Sequence, residues 1–77
     1  MKPAAKQRKR SVTIAGHRTS LSLEGEFWAA LAEIAAAKGR PVAAVIAEID
    51  RLEGRRTSLS STIRLFVLAY FREKAGK

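Results

Sequence analysis

The chain has 77 residues and a formal charge of +8, from fifteen Lys and Arg against seven Asp and Glu, and it has no Cys. That length caps it at one domain, and the missing Cys excludes disulfides and thiolate metal sites. A small core without such staples is marginal and calls for reinforcement by a second subunit, while the positive bias points to polyanions, nucleic acid first and an acidic membrane surface second.

Residues 1–10, MKPAAKQRKR, carry Lys2, Lys6, Arg8, Lys9 and Arg10 and no apolar residue larger than Ala after Met1. Such a segment cannot bury enough surface to order itself, so it reads as a disordered basic arm. Lys6, Arg8, Lys9 and Arg10 are its phosphate candidates, contributing affinity without sequence information. The folded domain is expected over residues 11–77. The basic start runs into no apolar signal segment, and the longest apolar run, Leu65 to Phe71, is far short of a membrane span. A cytoplasmic, nucleoid-associated protein is the expectation.

Residues 11–23, SVTIAGHRTSLSL, have period two. Val12 and Ile14 alternate with Ser11 and Thr13; Thr19, Leu21 and Leu23 alternate with Arg18, Ser20 and Ser22. The parity changes from even to odd between the two pieces, as a bulge or break near Ala15 and Gly16 would cause. Both pieces read as strand by this alternation, and the ribbon strand is placed over about residues 17–23. A lone strand leaves both edges unpaired, and the nearest matching edge is the same strand of a second copy. Two copies around a dyad would form an antiparallel two-stranded ribbon. Leu21 and Leu23 would turn toward the helices, and Arg18, Ser20 and Ser22 outward. Such a ribbon is one of the few elements that fit the DNA major groove.

Three helices follow. The first is predicted over residues 25–38, where Phe27, Leu31, Ile34 and Ala35 form one face, Glu24 and Glu26 suit the N-terminal dipole, and Gly39 stops it. The second, over 41–53, has Pro41 at its first position and an apolar face of Val42, Val45, Ile46, Ile49 and Leu52. The third, over 58–73, is capped by Ser58 or Thr57. Its main stripe is Leu59, Ile63, Phe66, Val67 and Tyr70, with Leu65 and Leu68 on another side, a distribution that asks for burial from two directions. Leu21, Leu23, Phe27, Leu31, Ile34, Val45, Ile46, Ile49, Ile63, Phe66, Val67 and Tyr70 are the expected core of a dimer.

The segment RTSLSLEGEFWAALAEIAAAKGRPVAAVIAEID resembles the ribbon-helix-helix DNA-binding proteins, the Arc- and MetJ-like class of repressors. The longer pattern, KRSVTIAGHRTSLSLEGEFWAAL with AAVIAEID and LSSTIRLFVL, is similar to a bacterial subfamily with an added C-terminal helix. The resemblance spans residues 9–72. It implies a mainly α fold with an intermolecular ribbon, an intertwined homodimer on double-stranded DNA, and a role as a transcriptional regulator. It maps the base-reading positions onto Arg18, Ser20 and Ser22. It also implies a backbone phosphate clamp at the start of the second helix, which maps onto Pro41, Val42 and Ala43. The family commonly has Ser or Thr in that turn, whereas this chain has GRPVA. Pro41 lacks an N–H, so the clamp falls to the amides of Val42 and Ala43 and the charge of Arg40.

Arg18 suits bidentate contact with guanine, the alternative being a phosphate contact that positions without specifying. Ser20 and Ser22 accept many base edges. His17, the single His, has no second His or Cys near it, so no metal site is expected, and a phosphate contact is its functional option. Trp28 sits at the edge of the first helix's stripe and is expected to pack on the third helix or a second subunit. Arg55 and Arg56 read as solvated charges at a helix start. No phosphate loop, nucleophile–base pair or metal-ligand spacing supports an enzyme or a cofactor. Two other functions compete: an antitoxin-type DNA-binding protein with a toxin partner, and a membrane-surface or scaffold helix built on residues 58–73. The first is disfavoured because the chain ends near the third helix, the second because apolar residues on two sides suit an interior. A dimer of dimers on DNA stays open.

Overall fold

A computed structural model describes residues 7–53 and 58–76. Lys6 and the rest of the expected arm before it, and Arg55, Arg56 and Thr57, lie outside the described residues. The elements in order are β1 (Gln7–Ile14), β2 (His17–Glu24), α1 (Gly25–Lys38), α2 (Val42–Glu53) and α3 (Leu59–Ala75).

β1 and β2 form one antiparallel hairpin, in register from Gln7 opposite Glu24 to Ile14 opposite His17. This corrects two expectations. Residues 7–10 belong to a strand rather than to a disordered arm, and the partner of β2 is supplied by its own chain. The physical reason lies in the loop. Ala15 and Gly16 both have positive φ, 52° and 84°, as the tight turn that matches the twist of two adjoining strands requires. A two-residue loop sets even-numbered residues of β1 opposite odd-numbered residues of β2. The change of parity that reads as a bulge is therefore the signature of a hairpin whose two strands share one apolar face.

That face carries Val12, Ile14, Leu21 and Leu23. Ile14, Leu21 and Leu23 are buried and Val12 half-buried. Below it, Leu31 and Ile34 of α1, Val45, Ile46 and Ile49 of α2, and Leu59, Ile63 and Val67 of α3 complete a single core. Phe27, Phe66 and Tyr70 pack around it, half-buried. No charged or polar residue is buried among the described residues.

Local chemistry ends each helix where the packing needs it. α1 stops in a left-handed Gly39 at φ 65°. The Gly39 amide donates to the Ala36 carbonyl at 3.2 Å, and that of Arg40 to the Ala35 carbonyl at 3.0 Å. These two bonds satisfy the last carbonyls and turn the chain into α2. α3 starts at Ser58, whose hydroxyl accepts from the Ser61 amide at 3.2 Å. The second stripe of α3 stays outside: Leu65 is 65% and Leu68 52% exposed, as is Leu52 of α2 at 62%.

Candidate nucleic-acid interface

The hairpin has an outward face opposite the core. Cross-strand pairing brings together Lys9 with Ser22, Ser11 with Ser20, and Thr13 with Arg18. Ser22 is half-buried and the other five are exposed. Arg18, Ser20 and Ser22 thus lie in one row, and β1 lays a second row beside it. Ser11 and Thr13 are new here. Period-two alternation of residues 11–14 already put them opposite Val12 and Ile14, but only the pairing sets them beside Ser20 and Arg18. The face offers two cations and four hydroxyls, each hydroxyl able to donate or accept.

The remaining phosphate candidates are scattered. Arg8 and Arg10 share the parity of Val12 and lie at the rim of the apolar face. The guanidinium of Arg10 sits 4.8 Å from the centre of the Trp28 ring, a cation–π contact. The Trp28 indole N–H donates to the Arg8 carbonyl at 3.0 Å. Trp28 is buried beneath β1, rather than held by α3 or a second subunit alone. Arg10 is accordingly a lid on the core as well as a charge. His17 lies exposed beside the turn, opposite Ile14 and on the parity of the apolar face.

At the start of α2 the carbonyl of Pro41 accepts from the amides of Ala44 at 3.0 Å and Val45 at 3.2 Å. The amides of Val42 and Ala43 precede the first intrahelical bonds and point out of the helix end. Arg40 beside them is not a bare charge, because its Nη1 meets Glu48 Oε1 at 2.6 Å.

One acidic side chain shares the outward row. Glu24 is gripped by Arg64 of α3, whose Nε donates to Oε1 at 2.9 Å and whose Nη2 donates to Oε2 at 3.2 Å. Gln7, opposite it on β1, donates to Oε2 at 3.4 Å. The bond from Arg64, aided by the residue's own backbone amide, holds the Glu24 carboxyl below the usual carboxylate range against a smaller opposing effect of desolvation. The carboxylate is thereby kept ionised and neutralised by a protein cation.

Among the described residues no helix is long and apolar enough to cross a membrane. A family model described as a ribbon-helix-helix domain matches residues 7–71. None of the curated proteins or solved structures compared with the chain matches it.

Proposed function

The chain belongs to the ribbon-helix-helix family of DNA-binding regulators, whose members generally bind DNA as dimers, and from that premise we propose that it is a sequence-preferring binder of double-stranded DNA, a transcriptional regulator that acts by occupying its site. The observation that carries this reading is the outward face of the hairpin. It is a two-stranded ribbon, narrow enough for the major groove, that presents Lys9, Ser11, Thr13, Arg18, Ser20 and Ser22 with its one carboxylate already neutralised.

Arg18, next to the turn, reads a guanine. The four hydroxyls adapt to neighbouring base edges, and Lys9 contacts phosphate. Val42, Ala43 and Arg40 form a second phosphate contact at the start of α2. Residues 1–6 and Arg8 add counterion release. Each chain carries a complete ribbon. A homodimer would present two of them to two half-sites, with the exposed Leu65 and Leu68 as apolar surface for the second copy.

Selection of bound sequences from random duplex DNA, paired with a solution mass measurement, tests this reading. A two-part enriched site and a dimeric mass are expected. No enrichment over the starting pool would overturn it.

A further inference from the structure

The added helix α3 reaches the ribbon through two side chains one turn apart. Ser60 Oγ donates to the backbone carbonyl of Ser22 at 2.9 Å, and Arg64 grips the carboxylate of Glu24 with two bonds, at 2.9 and 3.2 Å. Their targets lie two residues apart on β2. In a hairpin closed by the pair Ile14 and His17, backbone groups alternate between pointing at the partner strand and away from it. By that alternation the Ser22 carbonyl points away from β1, and α3 flanks the outer edge of β2.

The fastening is at one end. Gln7 ties β1 to the same carboxylate, and the turn at Ala15 and Gly16 is at the far end. Apolar contacts under Ile14, Leu21 and Leu23 decide which face of the hairpin is down, but burial has no direction in the plane. The directional bonds to Ser22 and Glu24 on β2, with the Trp28 bond to the Arg8 carbonyl on β1, set the hairpin's position along that plane.

We propose that Ser60 and Arg64 are positioning residues for DNA recognition: they hold Ser22 and Glu24, and through them the outward row, in one placement on the helices, without themselves touching DNA. The proposal rests on the DNA-binding reading above. Arg64 is a cation beside a basic surface, so a phosphate contact is the competing role. Three features separate it from that role. Its guanidinium engages both oxygens of one carboxylate, it lies over the Phe27 ring at 5.9 Å, and its side chain is only 28% exposed. A base-reading constellation loses its advantage when its support loosens by about half an ångström, whereas phosphate attraction is far less demanding of geometry.

The test compares affinity for a selected site with affinity for random duplex DNA, over a salt series, for Ser60→Ala, Arg64→Met, Glu24→Gln and the double variant Glu24→Gln/Arg64→Met. Positioning predicts that Arg64→Met and Glu24→Gln each lower the specific-to-random ratio by about tenfold. Random-DNA affinity and salt slope should stay those of the wild type. The double variant should lose little more than either single one, and Ser60→Ala should lower the ratio in the same direction. Circular dichroism and thermal melts of each variant, run beside the binding series, report that it is folded, because random-DNA binding by a chain of charge +8 would survive unfolding. Glu24→Gln is decisive because it removes a negative charge. A phosphate role for Arg64 requires Glu24→Gln to bind as well as the wild type or better, and Arg64→Met to weaken both DNAs and flatten the salt slope by about one; that result overturns the proposal. If the wild type itself shows no preference for any site, the DNA-binding reading fails and takes this inference with it. A wild-type preference that survives in all four variants overturns positioning alone.

Discussion

The indole N–H of Trp28 donates to the backbone carbonyl of Arg8, a residue 20 positions earlier, at 3.0 Å. This bond fastens β1 to α1 near the open end of the hairpin, and Arg10 closes over the same ring. Trp28→Phe keeps most of the buried area and removes the donor. It is expected to lower stability by about 1–2 kcal/mol, from the lost bond and a weaker cation–π contact. Urea unfolding measures the total. Hydrogen exchange should show the loosening first in β1, and protection unchanged there would contradict the assignment.

Arg18→Ala should relax site preference. Loss of a bidentate guanine contact costs about 1–3 kcal/mol of discrimination. Competition between a selected site and random duplex measures it, and equal losses on both DNAs would show that Arg18 meets phosphate instead.

Lys9 and Arg10 are neighbours with opposite expected behaviour. Lys9 lies on the outward face, so Lys9→Ala should weaken binding to all duplexes and reduce the salt slope by about one. Arg10 covers Trp28, so Arg10→Ala should cost about 0.5–1 kcal/mol of stability. Salt titrations and thermal melts of the two variants separate the roles.

The turn is improvable. Ala15 holds a φ of 52°, a left-handed conformation that costs an L residue with a plain Cβ about 1–2 kcal/mol, whereas Asn tolerates it. Ala15→Asn creates the sequence preferred by this kind of hairpin turn and should raise the melting temperature; Gly16→Ala, at φ 84°, should lower it. A fall with Ala15→Asn would count against the turn.

The Glu24 carboxyl sits below its usual range because Arg64 donates to it. A group whose folded pKa is depressed contributes stability that is present at neutral pH and is lost as pH falls through that lowered value. Wild type and Glu24→Gln should therefore differ in urea midpoint near neutrality and converge in acid. A constant difference down to low pH would mean that the ion pair is not its source.

The class of fold and the helical pattern were legible in the sequence because they rest on local rules. The apolar spacing of Leu31, Ile34 and Ala35, the proline before α2, the Gly39 stop and the Ser58 cap each act within a turn or two of chain. The row of Arg18, Ser20 and Ser22 followed from alternation alone, and family resemblance supplied its use. Ser11 and Thr13 stayed hidden because their value depends on which strand lies beside them.

Tertiary structure alone decided that partner, and with it the contacts of Arg10, Trp28, Ser60 and Arg64. These residues meet groups between 18 and 40 positions away, and no periodicity of side chains encodes such distances. Spacing along a chain tells which side of an element is apolar, because that is a property of one helix or strand. Which edge closes on which, and which charge is used up by its neighbour, depends on how the elements come together.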